Sequence, residues 1–175
     1  MSLVSSSGFI ALITYVLSII PKNLTTVFPS TKKFKIIKLL FKHRRFIGLS
    51  AFFWASIHTT ITISDKNIDL LSLNTYFNYY SGIGTFVIFT LLAITSNKFS
   101  IKKLKKNWKI LHNLTYVAMI LLLIHIWIMM EDNWTKLTGI GFCLLASIAI
   151  IYLIRLYIDL DLKLGQRERN NGAIQ

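Results

Sequence analysis

Acidic residues and cysteine are scarce in this sequence of 175 residues. It contains seven Asp and Glu residues against 20 Lys and Arg residues, which gives a formal net charge of +13. The single cysteine, Cys143, excludes a disulfide within the chain; it lies in an apolar run, where a small buried side chain is its expected role. No internal repeat or low-complexity tract is present, so one domain is expected at this length, with no room for a soluble catalytic domain beside the apolar runs.

The long apolar runs decide the class of protein. Hydrophobic residues make up 54% of the chain, and its mean hydropathy is +0.57. Five runs approach the roughly 20 residues that a membrane-spanning helix needs. They cover about residues 3–20, 46–63, 79–95, 111–130 and 137–158. The sequence therefore predicts an all-α fold, a polytopic transmembrane helical bundle of about five spans.

The basic residues lie almost entirely at one end of the predicted bundle. The connections before the second and fourth spans, together with the end of the chain, contain 18 of the 20 Lys and Arg residues. Because cytoplasmic loops carry such an excess, we expect the N-terminus outside and the C-terminus in the cytoplasm; in a bacterial cell the membrane would be the inner (plasma) membrane. The basic residues would contact anionic lipid headgroups, so nucleic-acid binding is not expected. The N-terminus lacks the features of a cleaved signal peptide, and the first span is expected to be retained.

Three boundaries of the predicted spans depend on local composition. The first span is expected to stop at Pro21-Lys22. Residues 31–45 alternate lysines with apolar side chains, which fits either an interfacial amphipathic helix or a cytoplasmic extension of the second span. The polar residues 159–175 are expected to fray as a cytoplasmic tail. The membrane domain is therefore predicted to cover residues 1–158.

Three histidines lie inside the predicted spans, at His58, His112 and His125. An ionisable side chain at membrane depth is costly and suggests a function, and neutral imidazole is a common ligand of haem iron. His58 in the second span and His125 in the fourth both fall toward the outer face. On adjacent helices at one depth, two imidazoles could bind one iron from both sides. Such ligation leaves no open position on the iron, which favours electron transfer over oxygen binding.

His112 does not share this geometry. It precedes His125 by 13 residues, which places it roughly 20 Å closer to the inner face and about 140° around the helix axis. A second haem on the same face would need a π-bulge or a kink; otherwise His112 serves a different site. The sequence does not decide which residue would act together with His112 at this site. His43 can ligate a metal but lies in a basic run, whereas Arg44 and Arg45 stay protonated and suit a haem propionate or a flavin phosphate.

Readings without haem also remain for these residues. A histidine within a span can simply form a hydrogen bond to a neighbouring helix. A proton relay normally recruits carboxylates, and predicted spans one to four contain none. Glycine pairs open the third span (Gly82, Gly84) and the fifth span (Gly139, Gly141). They would allow close helix packing or make room for a flat macrocycle.

Two segments around these histidines resemble a known family. Residues 44–58 carry Arg-Arg-x-x-Gly-Leu followed by Ile-His, and residues 95–125 carry Thr-Ser, Trp, Leu-His-Asn, Tyr and Ile-His. They are similar to the RR-x-x-GL…LH and TS…W-x-x-LHN-x-x-Y…IH segments of the MsrQ (YedZ) haem-binding membrane subunits, within the ferric reductase-like transmembrane proteins. The resemblance covers about residues 8–158, although the MsrQ pattern usually has six spans.

The resemblance implies a haem subunit of an oxidoreductase that needs a partner for catalysis. It implies one or two b-type haems bound through His58, His112 and His125, with Arg44 and Arg45 near propionates or a flavin such as FMN. Electrons would pass from a quinone or flavin source to a periplasmic molybdopterin reductase subunit that repairs oxidised methionines. Larger relatives add FAD and NAD(P)H domains. This sequence has no G-x-G-x-x-G fingerprint, so an external electron donor is expected.

Two other functions remain compatible with the sequence. One is a stand-alone ferric or cupric reductase-type transmembrane protein, which differs in where the electrons go. The other is a non-redox helical membrane protein, such as a transporter component or an assembly factor, which would be colourless when purified.

Overall fold

The computed structural model describes residues 3–69, 72–130 and 134–172, with side chains described as far as residue 164. These residues form six α-helices and no β-strand. The helices are α1 (Leu3–Val27), α2 (Lys35–Asp65), α3 (Leu73–Ile94), α4 (Lys98–Leu104), α5 (Lys106–Met129) and α6 (Lys136–Gly172). All except α4 are long and apolar enough to cross a membrane. The prediction of an all-α bundle with five spans is confirmed.

Helix α1 is the central element of the bundle. It packs most extensively against α2 and α6, while α3 packs against α5. Its residues Leu12, Tyr15, Val16 and Ile19 recur at helical spacing and are almost fully buried. The Tyr15 hydroxyl donates a hydrogen bond of 2.6 Å to the Thr115 carbonyl oxygen, which ties α1 to α5. Large apolar side chains on the outer faces of the other spans are exposed, as contact with lipid requires.

The prediction that the first span ends at Pro21 is wrong, because α1 continues to Val27. Proline removes one backbone N–H, but membrane helices tolerate it where packing and hydroxyl side chains satisfy the local backbone. Pro21 is fully buried. The Thr25 hydroxyl donates to the Pro21 carbonyl oxygen at 2.8 Å, and the Thr26 hydroxyl donates to the Lys22 carbonyl oxygen at 3.0 Å.

The structure also defines the start of α2 and the end of α6. A short 3-10 turn, Pro29–Lys33, precedes α2. Residues 35–45 form the first part of α2 without a break. Of the two alternatives for this segment, the structure therefore shows an extension of the second span and not a separate helix. Helix α6 continues past Asp159 to Gly172, so the residues expected to fray are helical as far as Gly172. The additional short helix α4 begins at the Asn97 side chain, which accepts a hydrogen bond of 2.7 Å from the Ser100 N–H.

A buried polar network joins three spans at the end of the bundle that contains most basic residues. The Arg155 guanidinium of α6 is 9% exposed. Its Nη1 donates to the Asn23 Oδ1 of α1 at 2.9 Å and to the Tyr116 hydroxyl of α5 at 2.7 Å. Its Nε lies 3.4 Å from an Asp159 carboxylate oxygen, and the Tyr116 and Tyr152 rings stack at 3.9 Å. Sequence reasoning counted Arg155 only among the basic residues at the chain end, although a charge within a span was the available signal.

Candidate functional site

A cavity of about 440 Å³ lies at the opposite end of the bundle. All five spans line it, with Gly8 from α1, His58 from α2, Gly82 from α3, His125 from α5 and Thr138 from α6 among the contacts. The volume and the mostly apolar lining with a few polar groups are typical of a site for a small ligand or cofactor.

The cavity brings together two of the three histidines within spans. The His58 and His125 ring centroids are 6.5 Å apart, and their planes are nearly perpendicular at 84°. The sequence predicted that these two histidines lie on adjacent helices. Within the described residues, however, their helices α2 and α5 make no backbone contact with each other. The two rings therefore lie close together on helices whose backbones do not contact each other, and both line the cavity.

His58 is oriented by a hydrogen bond from α1. Its Nδ1 lies 3.0 Å from the Val4 carbonyl oxygen. Because a carbonyl oxygen only accepts, Nδ1 carries the proton, and the neutral ring keeps a lone pair on Nε2. A ligating histidine commonly has this arrangement, in which the second nitrogen fixes the tautomer and the ring orientation.

Two glycines provide the space in which the imidazoles lie. A Cβ atom on Gly8 would lie 3.0 Å from the Cε1 and Nδ1 atoms of His58. A Cβ atom on Gly82 would lie 2.8 Å from Cε1 and 2.9 Å from Nδ1 of His125, closer than real Cβ atoms approach. The sequence predicted that Gly82 allows either close helix packing or room for a macrocycle. In the structure, the side chain next to Gly82 is the imidazole of His125. Gly8 carried no signal, because its partner lies 50 residues along the chain.

His125 differs from His58 in its second nitrogen. Its Nδ1 is buried and has no hydrogen-bond partner among the described residues. A buried polar atom without a partner is uncommon and marks a candidate functional position. The described residues also contain no group of three or more His, Cys, Asp or Glu side chains that could hold a bare metal ion. Two facing imidazoles alone would instead fit a metal whose other ligands come from a cofactor.

The structure places His112 outside this cavity. Its ring stacks on Trp108 at 3.9 Å, and its Nδ1 lies 3.2 Å from the Trp108 carbonyl oxygen. Its Nε2 lies 3.4 Å from the Ser96 hydroxyl, and the Trp108 indole N–H donates to the Thr95 carbonyl oxygen at 3.0 Å. Helix α5 contains no π-bulge between Lys106 and Met129, so His112 and His125 face different surroundings. A haem at His112 stays a prediction.

The basic candidates also lie away from the cavity. Arg44 precedes His58 by 14 residues of continuous helix, a distance of about 21 Å along α2. Its side chain is half-buried and close enough to His112 to act on it electrostatically. Arg45 and His43 are exposed. The cofactor contacts predicted for Arg44 and Arg45 therefore remain predictions.

The position of Gly82 gives a stability prediction. Replacing Gly82 by alanine should displace the His125 ring, because the new Cβ cannot remain 2.8 Å from Cε1. Overpacking of this kind costs about 1–3 kcal/mol. Thermal unfolding of the purified protein in mild detergent would measure it. The matched control is Gly48→Ala in α2, where a Cβ atom meets nothing within 4 Å, and which should be neutral or stabilising by up to about 1 kcal/mol. Equal changes in both variants would contradict the close packing at Gly82.

Comparison with known proteins identifies the family. The family model described as ferric reductase like transmembrane component matches residues 7–123, which include His58 and His112 but not His125. The proteins named "Protein-methionine-sulfoxide reductase heme-binding subunit MsrQ" from Brucella ovis, Brucella canis and Brucella suis are each 32% identical to this chain over 124 residues.

The aligned part covers 68% of this chain and 56% of each relative, so the chain spans about half the length of the curated relatives it matches. No solved structure matches the chain significantly. The family match over most of the chain and the five apolar spans agree: this multi-pass integral membrane protein belongs to the ferric reductase-like transmembrane family.

Proposed function

We propose that this chain is a membrane electron-transfer subunit that binds a b-type haem in the cavity between His58 and His125. The observation that carries the proposal is the separation of 6.5 Å between the two ring centroids. Two imidazoles that bind one metal from opposite sides place their centroids about 6 Å apart, since each metal–nitrogen bond is about 2 Å long and each ring centroid lies roughly 1 Å behind its nitrogen. The rings are therefore spaced for a shared iron.

The donor set supports haem over a bare ion. Two imidazole nitrogens are too few for an ordinary protein metal site, whereas a porphyrin provides four further nitrogens of its own. When bound, the haem would supply reversible one-electron chemistry. The chain's residues would bind and orient it: the Val4 carbonyl oxygen holds the His58 ring, and Gly8 and Gly82 admit the two rings. The apolar lining would exclude water from the site.

The direction of transfer and the partners extend this proposal. With the basic end in the cytoplasm, the cavity lies toward the outer face. Electrons would enter from a cytoplasmic-side or quinone donor and leave to an outer acceptor. The name of the MsrQ relatives supports a partner in a methionine sulfoxide reductase system, here a periplasmic molybdopterin subunit. A second haem at His112, or FMN or quinone near Arg44 and Arg45, would provide the inner step.

An absorption spectrum tests the proposal most directly. The protein purified from haem-replete cells is expected to show a Soret band that shifts on reduction with dithionite. Carbon monoxide should leave the reduced spectrum of the cavity haem unchanged, because two axial histidines leave no open position on the iron. Colourless protein would contradict the proposal and favour the non-redox alternative.

The family description favours one second candidate, a stand-alone ferric or cupric reductase. It shares the haem site and differs only in the acceptor. Mixing the dithionite-reduced protein, freed of excess reductant, with a ferric or cupric chelate separates the two. Rapid reoxidation of the haem supports the metal reductase, whereas slow reoxidation supports a protein acceptor.

A further inference from the structure

The residues directly after α2 border the cavity, and Lys66 is the first of them. The Lys66 N–H donates to the Thr62 carbonyl oxygen at 3.1 Å, and the Ile68 N–H donates to the Ile63 carbonyl oxygen at 3.1 Å. Between them, Asn67 adopts a φ of 47°, in the left-handed region that asparagine tolerates better than most residues. Ile63 and Ile68 both line the cavity. Lys66 therefore stands at its outer mouth.

The Lys66 side chain is exposed and does not itself line the cavity, but its ammonium lies beside a residue that does. Its Nζ lies 5.9 Å from the centroid of the Tyr79 ring, and Tyr79 lines the cavity from α3. Lys66 is also close enough to act electrostatically on both His58 and His125. A single cation thus bears on both facing imidazoles.

The charges around Lys66 leave this cation without a close counterion in the described part of the chain. The neighbouring carboxylate, Asp65, does not lie within the 4.0 Å of an ion pair with the Lys66 ammonium. A lysine at a helix C-terminus interacts favourably with the helix dipole. That interaction explains why a lysine is favourable at the end of α2, but it does not require the ammonium to lie near the cavity.

We propose that Lys66 is a positioning residue that pairs with a carboxylate of the ligand in the cavity. The inference rests on the proposed function, because haem carries two propionate carboxylates. The pair would fix which edge of the macrocycle points toward the outer mouth. It would also keep a positive charge near the iron, which favours the reduced form because reduction removes one positive charge from the site.

Haem affinity tests the pairing. Apoprotein is titrated with haem and, separately, with haem dimethyl ester, which lacks the carboxylates, while the Soret band is followed. We expect Lys66→Gln to weaken binding of haem several-fold and to leave binding of the ester unchanged, and Lys66→Arg to retain wild-type affinity for both. The matched control is Lys136→Gln, which removes the other basic residue at this end of the bundle and should change neither affinity. Equal weakening for haem and ester would overturn the proposal and indicate a structural role for Lys66.

The midpoint potential gives a second, independent measurement. In a redox titration of the haem-loaded protein, Lys66→Gln should lower the midpoint, whereas Lys66→Arg and Lys136→Gln should keep the wild-type value. The two proposals fail differently. A wild-type protein that binds no haem overturns the proposed function and this inference with it. A wild-type protein that binds haem, with the same affinity and midpoint in Lys66→Gln, overturns the role of Lys66 alone.

Discussion

Replacing His58 or His125 by alanine is expected to remove most of the haem of the cavity while the helical fold persists. Loss of a supporting residue around a metal ligand already costs roughly 10–100-fold in affinity, and loss of the ligand itself should cost at least as much. The fold should tolerate both changes, because α1 and α2 pack extensively apart from the hydrogen bond between His58 and Val4, and His125 Nδ1 has no described partner to lose. The haem-to-protein ratio and the far-UV circular dichroism of the purified variants provide the measurement.

His112→Ala is the matched control for this experiment. The substitution removes an imidazole from the same helix as His125 but leaves the cavity intact, since His112 contacts Trp108 and Ser96 instead. It should leave the cavity haem in place, and any loss of absorption in this variant would belong to a second haem. A Soret band of wild-type intensity in the variant lacking both His58 and His125 would contradict the assignment of these ligands.

Arg155→Ala is expected to destabilise the protein by about 3–5 kcal/mol, the usual cost of removing one partner from a buried, charged hydrogen-bond network. The Tyr116 hydroxyl would lose its donor, the Asn23 Oδ1 would keep only the 3.3 Å hydrogen bond from Tyr116, and a void would remain between α1, α5 and α6. The free energy of unfolding in mild detergent, or the midpoint of thermal unfolding, measures the loss.

Two further variants show how much of the loss in Arg155→Ala comes from the buried hydrogen bonds. Tyr116→Phe removes the hydrogen bond from Arg155 and the weaker one to Asn23, leaves the Arg155–Asn23 hydrogen bond in place, and should cost less, about 1–3 kcal/mol. Lys163→Ala removes an exposed positive charge from the same helix and should stay within about 0.5 kcal/mol of the wild type. If Arg155→Ala matched Lys163→Ala, the network would not be a stabilising contact between the three spans.

The sequence predicted features that depend on position along a single helix. Hydropathy gave the five spans, and the depths of His58 and His125 follow from their distances to the basic ends of α2 and α5. Features that depend on packing between helices were not predictable. Gly8 contacts a ring 50 residues away, and nothing in its own neighbourhood marks it.

The errors have similar causes. Pro21 stops most helices in water, but here it is fully buried and packing against neighbouring spans sustains the helix. Arg155 was grouped with the basic residues beyond the last span, because its charge is visible in the sequence and its partner Asn23, 132 residues earlier in the chain, is not. Likewise, His112 could be separated from His125 by angle alone, but its stacking on Trp108 required the structure.

The two facing imidazoles belong to different halves of the molecule. His58 and its supports Val4 and Gly8 lie on α1 and α2, whereas His125 and its support Gly82 lie on α5 and α3. A ligand that both rings hold would therefore act as a cross-link between two sub-bundles. Its release would remove one of the ties between them, so resistance to proteolysis at the end of the bundle that contains the cavity should depend on whether the cavity is filled.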